Sequence, residues 1–228
     1  MFAYPFIILL LFAGCQPEGA DHPAANPAYH DLIIPAAPAP TLDGRIAEGE
    51  WAQALQQDLA GGGHLYLQHE GNYLYVAMRG VESGWGHVYV LEDDSLRVLH
   101  ASAALGMAVY HQDDRKPSQL KREFVWEMRD PGMNPEVQEQ RMDYLGKHGW
   151  VATTGHMGVP EEIEYQIDKR LLESASVLAV VYVATPEAPR YWPASLQDAT
   201  LNADLIRGTP PDTQTFDPTG WQQVVFGE

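Results

Sequence analysis

The sequence predicts an all-β fold, an antiparallel β-sandwich of immunoglobulin or jelly-roll type with one short helix. Three observations predict it. Short stretches alternate apolar and polar residues with a period of two, the spacing at which a strand buries one face. Gly, Pro and Asn turn signals separate these stretches. Only the segment near 134–147 carries the punctuation of a helix.

The first hairpin is His64–His69 and Tyr73–Arg79, joined across Gly71-Asn72. Leu65 and Leu67 share one face of the first strand, and His64, Tyr66 and Gln68 share the other. In the second strand Leu74, Val76 and Met78 face one way, and Tyr73, Tyr75 and Arg79 the other. Further strands are expected at 87–91, 96–100, 105–110 and 122–128. Glu162–Ile167 alternates with Ile163, Tyr165 and Ile167 inward. Val177–Val183 is apolar on both faces and reads as a central strand. Trp221–Phe226 closes the domain. For the helix, Asn134 can cap, Pro135 suits the first helical position and Glu136 complements the dipole. It should end near Lys147, with Gly146 and Gly149 close to its end. No internal repeat is visible, and residues 41–228 read as one domain.

The N-terminus has a different texture. An apolar run from Phe6 ends in Ala13-Gly14-Cys15, which holds the only cysteine of the chain. The run is shorter than the ~20 residues that span a bilayer. This arrangement resembles the lipobox of bacterial lipoproteins, in which a peptidase cuts before the cysteine and the new N-terminus is lipidated. Residues 1–14 are then a signal peptide and Cys15 the lipidation site. Gln16 after the cysteine implies, by the same resemblance, an outer-membrane lipoprotein in the cell envelope, facing the periplasm or the cell surface. Residues 15–40, rich in Pro and Ala, read as an extended tether, from which only Leu32-Ile33-Ile34 docks as an edge strand.

A single cysteine allows no intrachain disulfide, so stability must come from a core. The formal net charge of −17 lies wholly beyond residue 15. So acidic a domain is repelled by nucleic acid and by anionic lipid, which excludes nucleic-acid binding and leaves the lipid anchor as the only membrane contact.

The segment Pro40-Thr-Leu-Asp-Gly-Arg-Ile-Ala-Glu-Gly-Glu-Trp51 and the strand Asn72-Tyr-Leu-Tyr-Val-Ala77 resemble the opening of family 9 carbohydrate-binding modules and their DOMON-like relatives. Glu164-Tyr-Gln-Ile167 and Trp221-Gln-Gln-Val-Val-Phe226 resemble that family's later strands. The resemblance covers about residues 40–226. It implies a non-catalytic sandwich, some of whose relatives bind sugars, some haem, and many of which have no assigned role, often with structural calcium. The motif also has a direct physical reading. Asp43-Gly44 makes a tight turn, and Trp51 supplies a large apolar anchor between the two sheets.

Sugars are held by flat aromatic faces and by amide, carboxylate or guanidinium groups. In sugar-binding members a pair of loop tryptophans clamps the terminal sugar. Here the loop candidates are Trp85, between glycines, and Trp192 in Arg190-Tyr-Trp-Pro193; the alternative is that each plugs an end of the sandwich. Arg190 and Glu164 are candidates for the hydroxyl contacts. Tyr66, Tyr73, Tyr75 and Tyr89 can line one sheet surface, joined by Arg79, Glu162, Glu164 and Gln166. Glu162 and Glu164 also have the i, i+2 spacing of a carboxylate pair, although alternating charge on a solvent face reads the same. His100 and Ser102 share a strand face but lack a nucleophile elbow. No catalysis is expected.

The acidic run Glu92-Asp93-Asp94, or Asp43, is where calcium would sit if enough oxygens converge. No zinc spacing is present, since His64 and His69 point to opposite faces. Haem is the rival cofactor by fold analogy, held noncovalently by His and by Met78, Met107 or Met128. The reading that follows is a lipid-anchored envelope protein that binds a glycan or another envelope component. The alternatives are haem-linked electron transfer and a structural or partner-binding lipoprotein without a small ligand.

Overall fold

A computed structural model describes residues 29–228 apart from 48, 103, 114–115, 123–127, 130–134, 155–161, 173–175 and 197–201. The expected signal peptide, Cys15 and most of the expected tether lie outside the described residues. The chain enters as β1 (His30–Ile34) and, after a long loop, forms β2 (Leu55–Asp58), β3 (His64–Glu70) and β4 (Tyr73–Arg79). A meander follows: β5 (Trp85–Glu92), β6 (Ser95–Ala101), β7 (Ala104–Asp113), β8 (Lys116–Arg122) and the short β9 (Met128–Arg129). Then come α1 (Pro135–His148), β10 (Trp150–Thr154), β11 (Glu162–Asp168), a 3-10 turn (Lys169–Leu171) and β12 (Val177–Val183). The chain closes with β13 (Arg190–Trp192), the single-turn α2 (Ala203–Ile206), β14 (Thr213–Gln214) and β15 (Gln222–Phe226).

These strands build two sheets, an all-β sandwich with one short helix of more than a single turn among the described residues. The larger has the order β1-β15-β12-β5-β6-β7-β8-β14, with β13 also on β12 and β9 on β7; the smaller is β10-β11-β4-β3-β2. Pairing is antiparallel except for β1 on β15, which is parallel. The alternation read from the sequence sets the faces. Leu65, Leu67, Leu74, Val76, Met78, Ile163, Tyr165 and Ile167 all turn into the core between the sheets. β12 is buried at every position, because its two faces meet two different clusters.

The helix spans Pro135–His148, close to expectation. Gly149 follows at φ +75, a conformation that suits a residue without a Cβ, and its N–H closes on the Leu145 carbonyl. Asn134, the expected cap, lies outside the described residues. The strand expected over 122–128 is instead β8, ending at Arg122, and β9 from Met128; residues 123–127 are not described. β2 has no counterpart among the expected strands, because Leu-Gln-Gln-Asp carries too little apolar alternation.

Each sheet is also covered on its outer face. The C-terminal stretch lays Leu196, Leu205, Phe216 and Trp221 over the larger sheet, against Tyr89, Val98, Tyr110 and Val181. The loop between β1 and β2 lays Ile46 and Trp51 over the smaller sheet, against Tyr75 and Ala77. Trp51 is therefore not the anchor between the sheets that the motif suggested; it seals the far side of one of them. Residues 30–40, read as tether, are part of the fold from β1 onward. Leu32 and Ile34 enter the core, and Ala37 donates to the His69 carbonyl at 3.0 Å. None of the described helices is long and apolar enough to cross a membrane.

Candidate functional site

The outer face of the smaller sheet carries the polar residues left over by the inward alternation. The register places Gln56, Tyr66, Ala77 and Glu164 in one row across four strands, and Asp58, His64, Arg79 and Glu162 in the next. The loop over this face is held by the two glutamates. Glu164 Oε2 accepts from the backbone N–H of Asp43 (3.1 Å) and Gly44 (2.8 Å), and its Oε1 accepts from Trp51 Nε1 (3.1 Å). Glu162 Oε2 accepts from Ile46 N–H at 2.8 Å, while its Oε1 takes Arg79 Nε at 2.6 Å. Arg79 Nη2 in turn donates to the Ile46 carbonyl at 2.7 Å.

The loop is preshaped locally for this. Asp43 Oδ1 accepts from Arg45 N–H at 3.0 Å, and Gly44 sits at φ +78. The tight turn read from Asp43-Gly44 is thus present, and its two N–H groups converge on one buried carboxyl. Burial pushes that carboxyl up to about 8, assisted by the Asp43 charge, against the pull of the Gly44, Trp51 and Asp43 donors.

Beside the loop, toward β2, lies an open cleft of about 510 Å³ lined by Ile46, Trp51, Ala54, Gln56, Tyr66 and Arg79, among others. The Tyr66 ring lies 6.2 Å from that of Trp51 and 6.4 Å from that of His64, and the Arg79 guanidinium carbon is 5.9 Å from its centre. His64 Nδ1 is within 3.0 Å of Asp58 and 3.3 Å of the Gln56 amide. Ala47, Ala52 and Ala54 complete the lining. It joins an aromatic body, an amide and a guanidinium already paired with Glu162.

The residues expected to bind are distributed differently. Trp192 is 6% exposed and lies in the core between the sheets, whereas Trp85 packs against the outer cluster of the larger sheet. Trp192 pairs with Val180 and Trp85 with Val183, an odd offset on β12, so the two rings lie on opposite faces. They do not form one clamp. Arg190 Nε donates to the Gly61 carbonyl at 3.2 Å, and Arg190 does not line the cleft. Glu164 is fully buried under the loop and cannot reach a sugar hydroxyl. Tyr75 is buried with Trp51 and Ile46, its hydroxyl pushed up to about 12 by burial and then by Glu70 and Tyr73.

Of the expected tyrosine row, Tyr66, Tyr73 and Tyr75 share the outer face, but Tyr89 is buried in the other sheet. Tyr66 remains open toward the cleft. Gln56 and Ile46, with Ala47, Ala52 and Ala54, are the cleft residues that the sequence reading missed. Gln56 sits on an edge strand without periodic signal, and Ile46 is placed by a contact 116 residues away.

Two of the three carboxylates in the expected calcium run are engaged by protein groups. Glu92 Oε2 pairs with Arg97 at 2.7 Å and Asp94 with His111 at 3.1 Å across the β5–β6 and neighbouring β7 strands. Among the described residues no three His, Cys, Asp or Glu groups stand together as metal ligands. Met78 and Met107 are core residues between the sheets. His100 faces His87 across β5 and β6, ring centres 4.6 Å apart, on the outer side of the larger sheet. Burial, then His87, holds His100 well below its ordinary value. Ser102 lies in the β6–β7 turn, bonded to Ala104. No family model matches the chain, and no curated protein or solved structure matches it either.

Proposed function

We propose that this protein is a non-catalytic glycan-binding module of the cell envelope, held at a membrane surface through Cys15, and that its ligand is a neutral sugar seated in the Tyr66 cleft. The observation that carries the reading is the joining of Tyr66, Trp51 and Gln56 around an open cleft on the outer sheet face. A ring can lie against the aromatic body while the amide of Gln56 bonds hydroxyls. Among the described residues Arg79 is the guanidinium that lines the cleft; it is paired with Glu162, and the whole chain carries −17, so an anionic glycan is disfavoured there. The motif likeness to family 9 modules and the lipobox-like leader support the same assignment.

The test is a screen of the full chain against neutral and uronic-acid oligosaccharides, with Tyr66→Ala and Gln56→Ala in parallel. Neutral glycans should bind, and Tyr66→Ala should weaken binding by roughly tenfold or more, about 1.4 kcal/mol. Binding that persists unchanged in Tyr66→Ala would remove the cleft from the reading. Binding to no glycan would remove the reading itself.

A further inference from the structure

At the other end of β3 from His64, on the face turned inward, His69 ends a chain of contacts that ties the C-terminal strand to the rest of the sandwich. Its Nε2 lies 2.9 Å from the Gly227 carbonyl, and its Nδ1 lies 3.0 Å from Lys169 Nζ. Lys169 Nζ also donates to the Gly71 carbonyl at 2.9 Å and sits 4.2 Å from the centre of the Phe226 ring. The His69 ring itself meets the Phe226 ring edge-on at 5.1 Å.

The protonation of this group follows from its partners. An ammonium has three donors and no acceptor, so Nδ1 must be the accepting nitrogen. The ring proton is therefore on Nε2, where it donates to Gly227. Both ring nitrogens are used, and the ring is neutral. A second proton could go only to Nδ1, which would turn an acceptor into a donor facing a cation.

We propose that His69 and Lys169 form an acid-sensitive latch over the edge of the sandwich at which β1 and β15 meet β3. Protonating His69 expels either its ring or the Lys169 ammonium. Expelling either one frees Phe226 or Gly227 from sheet β3–β4. The effect reaches β1, because Ile34 pairs with Phe226 and its carbonyl accepts from Gly227 N–H at 2.8 Å. β1 is the first described strand, so the latch loosens the N-terminal end of the described domain.

The surrounding charges leave the two groups to each other among the described residues. On β3 the neighbouring Glu70 turns to the Ala39 N–H, and on β11 Asp168 is held by Arg170. The residues paired with His69, Leu74 on β4 and Ala36 after β1, are uncharged, and Glu228 beyond β15 is exposed. Burial, only partly offset by the Gly227 carbonyl, and the Lys169 charge hold His69 below 6.5. The folded-state value is thus depressed. The latch is closed above 6.5, and its contribution is lost as pH falls through the lower, folded-state value.

The test is amide hydrogen exchange of the full chain, corrected for the intrinsic pH dependence, followed at residues 30–37 and 222–228 between pH 7.5 and 5. Protection there should fall several-fold on acidification while the centre of the larger sheet holds. His69→Gln keeps an acceptor for Lys169 and a donor for Gly227 but cannot titrate, so its edge should stay protected across the range. Equal acid loss in wild type and His69→Gln would overturn the proposal. So would nitrogen NMR of wild type showing the ring proton on Nδ1 at neutral pH, a measurement that needs no variant.

Discussion

Replacing Glu164 with glutamine asks whether one buried carboxyl holds the loop that shapes the cleft. The substitution is nearly isosteric, so no cavity forms and the whole effect is one of donors and acceptors. Glu164 receives three N–H groups: two backbone donors on Oε2 and the Trp51 indole on Oε1. A carboxyl oxygen keeps a lone pair whether or not it carries the proton, so the acid accepts all three in either state. An amide nitrogen accepts nothing. The best arrangement turns the glutamine oxygen toward Asp43 and Gly44 and leaves the Trp51 N–H against an NH₂ group. A buried donor left without an acceptor costs roughly 1–3 kcal/mol. For a domain of this size that is about 2–4 °C of melting temperature per kcal/mol. Urea unfolding at pH 6 should place the variant about 2 kcal/mol below wild type. Trp51→Phe removes the indole donor, so the glutamine substitution should cost far less in that background, with a coupling of about 1–2 kcal/mol. A glutamine variant within ~0.5 kcal/mol of wild type, or full additivity of the two substitutions, would refute the reasoning.

Three further outcomes follow from the same structure. The raised Glu164 carboxyl contributes stability that is fully present below about 4.5 and is lost as pH rises through about 8, so in denaturant titrations the stability difference between wild type and Glu164→Gln should shrink across that window. Trp192→Ala should cost ~3–5 kcal/mol as a buried-core truncation, yet leave glycan affinity per folded molecule unchanged in calorimetry; a selective loss of affinity would return Trp192 to the site. Gly63→Ala should cost roughly 1–3 kcal/mol in thermal melts, since Gly63 holds φ +99 and an added methyl meets the Arg79 carbonyl.

Much of the strand framework was legible because side-chain alternation is a local property. Leu65, Leu67, Leu74, Val76 and Met78 could be assigned inward from their spacing alone, and the helix limits from Pro135 and Gly149. The site was less legible. Glu164 reads as an exposed polar position on its strand, and on a bare sheet it would be one. Its burial depends on Asp43, Gly44 and Trp51, which lie 121, 120 and 113 residues away. Tyr66 and Tyr89 look alike in sequence, each on an alternating strand, but one borders an open cleft and the other lies under the C-terminal stretch.

The sequence by itself determined the fold class, the inward faces of the strands, the tight turn at Asp43-Gly44 and the helix. All of these follow from backbone preferences and periodicity within a few residues. Only the tertiary structure decided which outer face is sealed, which tryptophans are core, and which carboxyl is buried. Those outcomes depend on long-range closure of a loop and a C-terminal stretch over sheets already formed. The pairing of Trp85 and Trp192 with residues three apart on β12 separated them by a whole sheet, a consequence of register that neither residue's own neighbours encode.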